Sequence, residues 1–230
     1  MRARIVCLAA AAALLLFAVP FAAAADHSLL KGVFSPGEKG SGTLITREFD
    51  VAAFDRIALD GGFDVYVRVG GEPAVTATVD DNLAELFTAE VEAGTLSLDW
   101  KKACRPSRKS RIDVTLPLLL GFTVNGAGDV EITGAHGERL ELRINGAGDM
   151  TVDGSVDELD LVVSGAGDVD AGELAAQDVE ARVSGAGDAT VRAARSLDAT
   201  VSGVGEITYL GDPARKRTRV SGVGEIKAGH

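Results

Sequence analysis

The chain has 230 residues, with 23 Lys and Arg against 34 Asp and Glu, which gives a formal net charge of −11. So acidic a balance argues against a general electrostatic footprint for nucleic acid and against adsorption to an anionic membrane surface. The 28 glycines, the 6 prolines and the lack of any long stretch with apolar residues at helical spacing favour strands and turns over helices.

The first 25 residues have the pattern of a secretory signal peptide. Arg2 and Arg4 form a short basic region, an uninterrupted apolar run covers residues 5–19, and small residues follow up to Ala25. A retained membrane anchor is the alternative, but the run is shorter than the roughly 20 residues that a spanning helix needs. We expect cleavage after Ala25 and an exported mature chain without a membrane span, in the periplasm, in the cell envelope or secreted.

Residues 26–46 form an N-terminal extension, and residues 47–120 show short runs that alternate apolar and polar positions. Residues 60–64, Asp-Gly-Gly-Phe-Asp, look like a degenerate corner between two such runs, and residues 82–90 allow one or two helical turns. Terminal units of a repeat structure are atypical because they cover an open core. We therefore expect residues 47–120 to form an irregular β cap. The predicted strands are Thr43–Phe49, Arg56–Leu59, Phe63–Val69, Ala74–Val79, Thr95–Trp100 and Ile112–Leu116.

A basic segment interrupts the acidic chain between two of these strands. It surrounds Cys104, the one cysteine outside the leader, so an internal disulfide is excluded. The segment is either a solvated loop or a contact for phosphates or acidic polysaccharide of the envelope. Its positive charge would lower the pKa of the Cys104 thiol, and an unimportant thiol is the alternative. The candidate binding residues are Lys101, Lys102, Arg105, Arg108, Lys109 and Arg111. A second basic cluster comprises Arg215, Lys216, Arg217 and Arg219.

Six copies of a five-residue motif organise residues 121–230. Two copies read Asn-Gly-Ala-Gly-Asp, two read Ser-Gly-Ala-Gly-Asp and two read Ser-Gly-Val-Gly-Glu, and successive copies begin 20, 19, 20, 18 and 19 residues apart. A fixed period near 20 residues is typical of a solenoid. We predict an all-β solenoid with turns of about 19 residues. The motifs occupy residues 125–129, 145–149, 164–168, 184–188, 202–206 and 221–225.

Alternating apolar residues flank the motifs, for example Leu140, Leu142 and Ile144 before the second copy and Met150 and Val152 after it. Period two places one side inward, so each unit reads as strand, Gly-rich corner, strand, second corner. An antiparallel meander has the same alternation but would scatter identical corners to both ends of the sheet. Stacked turns about 4.8 Å apart favour identical corners, and paired glycines permit close approach. We therefore predict a coil in which the Asn or Ser that opens each motif forms a hydrogen-bonded ladder.

An acidic residue closes every motif. If stacked about 4.8 Å apart, these side chains would repel by roughly 1 kcal/mol per neighbouring pair in water. We expect each carboxylate to accept backbone N–H bonds at its own corner, as Asp does in turns. A row of divalent-cation sites is the alternative, although the calcium-binding repeat has nine residues rather than about 19. The six positions, called the corner column below, are Asp129, Asp149, Asp168, Asp188, Glu206 and Glu225.

Several segments together resemble the head GIN domain family, described as "putative autotransporter-adhesin head domains". The resemblance covers residues 49–227 and implies a right-handed parallel β-helix-like solenoid, here a single domain over residues 47–230, in exported bacterial envelope proteins. It brings no catalytic residues and no cofactor. The segments that carry it are Arg47–Val51, Phe54–Ile57, Gly62–Val67, Gly94–Leu98, Ile112–Pro117 and the Gly-Ala-Gly-Asp corners.

Enzyme signatures are absent from the sequence. His27, His136 and His230 are too dispersed for a triad or a zinc site, and the Gly-rich corners open strands rather than the helix that a dinucleotide fingerprint needs. We expect a non-catalytic adhesion or interaction module for an envelope protein or glycan. The alternatives are a carbohydrate-active enzyme on a β-helix scaffold and cation binding along the corner column.

Overall fold

Residues 37–229, which the computed structural model describes, consist mainly of β-strands, with one 3-10 turn at Asp81–Leu83. The expected leader and the first part of the extension lie outside these residues. Within residues 37–229 no helix is both long and apolar enough to cross a membrane. The strands are β1 (Glu38–Lys39), β2 (Leu44–Phe49), β3 (Arg56–Leu59), β4 (Phe63–Val69), β5 (Ala74–Asp80), β6 (Phe87–Glu92), β7 (Thr95–Trp100), β8 (Cys104–Arg105), β9 (Ser110–Leu116), β10 (Gly121–Val124), β11 (Val130–Ile144), β12 (Met150–Val163), β13 (Val169–Val183), β14 (Ala189–Val201), β15 (Val204–Leu210), β16 (Arg215–Val220) and β17 (Val223–Ala228).

Strands β10 to β17 wind into a coil whose turns lie on one another in parallel register. The Gly-rich corners stack together with the strands. The amide of Ala147 donates to the carbonyl of Gly126 at 3.0 Å, and the amide of Ala166 donates to Gly146 at the same distance. The predicted parallel solenoid is therefore confirmed, and the antiparallel meander is excluded.

Columns of apolar side chains fill the coil because equivalent positions of successive turns carry similar residues. Burying one Val, Leu or Ile side chain contributes roughly 1.5–3 kcal/mol, so these columns are a main source of stability. The predicted inward positions on both sides of the corners are all buried. One such column consists of Leu98, Leu59, Val124, Ile144, Val163, Val183 and Val201.

The second corner of each turn is less distinct than expected. Strands β11 to β14 run through it as continuous strands of 13 to 15 residues. The turns stay paired because the register shifts locally, for example after Ile132 in β11 and after Ala171 in β13. A sharp break is therefore confined to the Gly-rich side of the coil.

The N-terminal half adds two turns whose order along the coil differs from their order in the sequence. Strands β3 and β4, joined by residues 60–64, pair with β10 and β11, whereas the later strands β7 and β9 pair with the opposite edges of β3 and β4. After β4 the chain thus forms the turn on the outer side of β3 and β4, with β7 and β9. It then crosses to the other side of β3 and β4 at β10, where the regular coil begins. The amide of Ala127 donates to the carbonyl of Gly61 at 3.1 Å, so residues 60–64 are a corner as expected.

Antiparallel strands close this end of the coil. Strand β5 pairs with β9 and β2, and β6 pairs with β7. Because β2 begins at Leu44, it crosses the expected boundary between residues 26–46 and 47–120. Within residues 82–90 the 3-10 turn ends at Leu83 and β6 begins at Phe87. This 3-10 turn therefore stands in place of the one or two helical turns expected there.

An aromatic cluster closes the core at the same end. The ring of Phe63 lies 5.2 Å from that of Phe87 and 5.0 Å from that of Trp100, and Phe49 packs edge-on against Phe87 at 5.1 Å. Such pairs contribute about 0.5–1.5 kcal/mol each beyond the area that they bury. The cluster therefore covers the open end of the core, as expected of a cap.

Close packing of the corners yields a first prediction. A Cβ at Gly146 would lie 1.9 Å from the carbonyl oxygen of Gly126, so Gly146→Ala should lower the free energy of unfolding by about 3 kcal/mol or more. Gly62 provides the control because it occupies the position of Ala127 in the next corner, and its added Cβ would lie 3.4 Å from the nearest atom. Gly62→Ala should change stability by less than about 1 kcal/mol. Equal urea midpoints for the two variants would contradict the stacking.

Asp80 joins the N-terminal segment to the cap. Its side chain is 1% exposed and accepts hydrogen bonds from the amide of Gly42 at 2.7 Å, the amide of Ser107 at 2.8 Å and the Ser107 hydroxyl at 2.6 Å. Burial alone would raise the pKa of Asp80, but these bonds outweigh it and hold the pKa below its usual value. The folded state therefore stabilises the ionised carboxylate of Asp80.

Asp80→Asn should therefore destabilise the protein by about 1–3 kcal/mol at pH 7, because an amide cannot accept all of these bonds. The native carboxylate stabilises the fold above its unfolded pKa, and this contribution is lost as the pH falls through the lower folded pKa. The stability difference should shrink below pH 4 in urea titrations. Asp157→Asn, at an exposed position, is the control, with an expected change under about 0.5 kcal/mol. A constant difference down to pH 2 would refute the assignment.

Candidate functional site

A groove of about 660 Å³ crosses several turns on the face of the coil formed by the second halves of β11 to β14 and by β16. It begins just after the register shift between β13 and β14 that follows Ala176. Charged side chains dominate its lining. The residues that line this surface, called the charged groove below, are Arg139, Glu158, Leu159, Asp160, Asp178, Val179, Glu180, Ser196, Leu197, Asp198, Arg215, Lys216 and Arg217.

A row of carboxylates runs through the groove. Parallel register places Glu141, Asp160, Glu180 and Asp198 opposite one another on four successive strands, with Arg217 following on the fifth. We call these four residues the acidic ladder. The sequence contains a signal for this ladder, since each member lies four residues before a repeat motif. Aligning the repeats on their flanks would have found it.

Arginines neutralise the acidic ladder from both sides. Arg139 and Arg143 lie 3.4 and 3.5 Å from one carboxylate oxygen of Asp160, Arg182 pairs with Glu180, and Arg219 lies 3.3 Å from Asp198. Exposed pairs of this kind contribute little to stability one by one. Their effect is to hold the charges of the groove in fixed positions.

Arg56 neutralises one end of the acidic ladder. Its guanidinium passes over Gly121, where an added Cβ would lie 2.8 Å from it, and reaches Glu141 at 3.0 Å. Burial would raise the pKa of Glu141, but Arg56 and the neighbouring arginines lower it overall. A side chain at position 121 would therefore displace the end of Arg56.

Asp178 is the most strongly held acid of the groove. Arg195 binds both of its carboxylate oxygens, and the Ser196 hydroxyl donates to it at 2.5 Å. Arg195 first, and Ser196 second, hold the pKa of Asp178 far below its usual range. Asp160 differs because its Oδ1 atom is buried and accepts no hydrogen bond in the described chain, although the Arg182 guanidinium lies 3.9 Å from it. The groove therefore combines one fully hydrogen-bonded carboxylate with one that is only partly hydrogen-bonded.

The corner column lies on the other side of the Gly-rich corners. Its carboxylates accept hydrogen bonds from the backbone of the next turn: the amide of Asp168 donates to Asp149 at 3.1 Å, and the amide of Asp188 donates to Asp168 at 2.8 Å. The expectation that each carboxylate serves its own corner is wrong, because stacking brings the next amide within reach. These bonds join successive turns and offset the repulsion within the column.

Lysines neutralise the first and the fifth carboxylates of the corner column. Lys109 lies 2.8 Å from Asp129 and 3.1 Å from Asp64, and Lys227 lies 2.7 Å from Glu206. Each lysine lowers the pKa of the carboxyl that it contacts most closely. Residues 37–229 contain no group of three or more Asp, Glu, His or Cys placed to hold a metal ion.

The structure disperses the six basic candidates instead of joining them in one cluster. Lys101 donates to the carbonyl of Glu85, Lys102 pairs with Glu38, and Lys109 belongs to the corner column. Arg111 chelates Asp113 and lies 3.7 Å above the ring of Tyr66. Arg105 and Arg108 form no ion pair within 4.0 Å in the described part of the chain. They are the members of the segment that are open to a ligand. The six are Lys101, Lys102, Arg105, Arg108, Lys109 and Arg111.

Cys104 does not have the activated thiol that its basic neighbours predict. Burial raises the pKa of Cys104, and the charge of Glu38 raises it further, whereas Lys102 lowers it only in part. The expected direction of the shift is therefore wrong. Burial is the main reason, and the pairing of β1 with β8 adds to it by bringing Glu38, distant in sequence, beside the thiol.

Comparison with solved structures places the fold among bacterial proteins. A crystal structure of a "putative adhesin" from Bacteroides fragilis matches with a TM-score of 0.69 at 32% identity, covering 84% of this chain and 100% of the other. A "putative lipid binding protein" and a "putative adhesin" from Parabacteroides distasonis both match with TM-scores of 0.53, at 23% and 22% identity, over 84% of this chain and 99% and 100% of theirs. The latter two share the fold alone. No protein of curated function matches the sequence.

The family comparison covers most of the region that forms the coil. The family described as "Putative auto-transporter adhesin, head GIN domain" matches residues 53–213. This range runs from just before β3 to just before β16, and it includes every strand that lines the charged groove except β16. The chain therefore belongs to the head GIN domain family.

Proposed function

We propose that this protein is an exported, non-catalytic adhesion or interaction module of the cell envelope, and that the charged groove is its contact surface. The observation that carries the proposal is the groove itself, in which carboxylates and guanidinium groups lie in rows on a rigid, parallel-stacked sheet. The signal-peptide pattern of residues 1–25 and the name of the family support export. The partner is a protein or glycan of the envelope.

Rigidity favours a binding role for the groove. Its side chains stand on β-strands that are hydrogen-bonded on both edges except at β16, and their charges are paired before any ligand arrives. Side chains held in this way lose little conformational entropy when a partner binds. Polar groups in fixed rows provide specificity more than raw affinity, which suits a module that must distinguish one envelope component from others.

The ionisation of the groove supports a non-catalytic role. A glycoside hydrolase needs one carboxylic acid with a raised pKa beside an ionised carboxylate. The two acids of this face whose pKa values are clearly shifted, Asp178 and Glu141, have pKa values lowered by their arginine neighbours. Such carboxylates suit ion pairing and hydrogen-bond acceptance rather than proton donation.

Binding measurements with a groove variant test the proposal. The probes are purified cell-wall sacculi, isolated envelope polysaccharide and detergent-solubilised envelope proteins, each presented to the immobilised protein. We expect one of the three fractions to bind at micromolar concentration or tighter. Glu158→Lys with Glu180→Lys should weaken that binding at least tenfold, because it reverses two exposed charges of the groove.

The control variant, Glu131→Lys with Glu138→Lys, makes the same change in charge at exposed positions outside the groove and should bind like the unmodified protein. Thermal unfolding by circular dichroism verifies that both variants are folded. Equal binding by the groove and control variants would refute the groove as contact surface. Release of new reducing ends or unsaturated products from the polysaccharide would overturn the non-catalytic assignment.

A further inference from the structure

The last turn of the coil presents a basic edge strand. Within the described residues β16 pairs only with β14, so one of its edges has free backbone N–H and C=O groups. Arg215, Arg217 and Arg219 point outward, with side chains 73%, 67% and 57% exposed. An edge strand of this kind is a template for pairing with a further strand.

The opposite end of the same sheet presents an acidic edge strand. Strand β6 pairs only with β7 in the part of the chain that the structure describes. Ala89 and Val91 pack against the core, so the alternation of the strand points Glu90 and Glu92 outward, and both are exposed. The sheet thus begins with an acidic strand and ends with a basic one.

We propose that copies of this protein associate head to tail through antiparallel pairing of β16 of one copy with β6 of the next. The direction follows from the fold, since β16 runs parallel to β7 through the intervening strands and β6 runs antiparallel to β7. Residues opposite each other in such a pair lie about 4.5–5.5 Å apart. The outward Arg215 and Arg217 of β16 would face Glu92 and Glu90, and the inward positions Lys216 and Thr218 would face Val91 and Ala89.

Two features of the ends weaken this association and place adjoining coils at an angle. On the other face of the coil β2 extends one strand beyond the level of β6, so adjoining coils meet at an angle rather than on a common axis. Lys216 occupies the inward position opposite Leu197 and donates to the Tyr209 hydroxyl at 2.8 Å. An inward charge on an edge strand opposes pairing, because the ammonium group would lose water when a second strand covers it.

Charge exchange between the two edges tests the proposal. Sedimentation velocity of the unmodified protein from 10 to 500 μM in about 50 mM salt should show reversible, concentration-dependent association that weakens at 0.5 M salt. Arg215→Glu with Arg217→Glu should weaken it at least tenfold, and so should Glu90→Arg with Glu92→Arg. An equimolar mixture of the two variants should associate again, because each acidic edge then meets a basic one.

A control and a gain-of-function variant sharpen the test. Glu138→Arg with Glu173→Arg makes the same charge change at exposed positions away from both edges and should associate like the unmodified protein. Lys216→Leu should strengthen association severalfold because it removes the inward charge. The proposal is overturned if the unmodified protein remains monomeric at 500 μM, if the mixed variants fail to associate, or if Lys216→Leu has no effect.

Discussion

Backbone stacking at the Gly-rich corners is the constraint on which the other features depend. The amides and carbonyls of successive corners meet at about 3.0 Å, a distance that leaves no room for a Cβ at Gly126, Gly146 or Gly165. Once the corners are stacked, the strand segments next to them have a single register, and their side chains lie beside their equivalents in the next turn. Apolar positions gain from this repetition, whereas charged positions must be neutralised.

The molecule neutralises its repeated charges in two different ways. In the corner column the four aspartates each accept a backbone N–H from the next turn, as between Asp168 and Asp188, so attraction to the backbone offsets repulsion between like charges. In the acidic ladder the compensation comes from arginines in adjacent columns, as between Arg182 and Glu180. The first arrangement binds one oxygen of each aspartate to the backbone and presents charges of mainly one sign. The second presents charged groups of both signs in a groove, which is why we propose the groove as the contact surface.

The repeat motifs predict the coil because a corner of five residues determines its own backbone and its own stacking. The order of the first two turns is not encoded in this way: it depends on pairing between β3 and β7, whose residues, such as Leu59 and Leu98, are far apart in sequence and outside the repeat. The raised pKa of Cys104 is not predictable from sequence for the same reason, since the burial of its thiol and the contact with Glu38 both depend on tertiary structure. The groove was not predicted because its ion pairs join residues at different positions of the repeat. The spacing of the Gly-rich motifs alone does not show which of these positions lie close together.

The two ends of the coil cover the open core to different extents. The first end has antiparallel strands and a cluster of aromatic rings, with Phe63 and Phe87 buried. The last turn instead retains the repeat at residues 221–225, packs Ile226 against the core and places Lys216 on the inward side, with its ammonium group 5.0 Å from the ring of Tyr209. Val223 in the same turn is 77% exposed. A lysine stem covers apolar surface without occupying the free backbone edge, so this arrangement is compatible with the proposed pairing of a further strand.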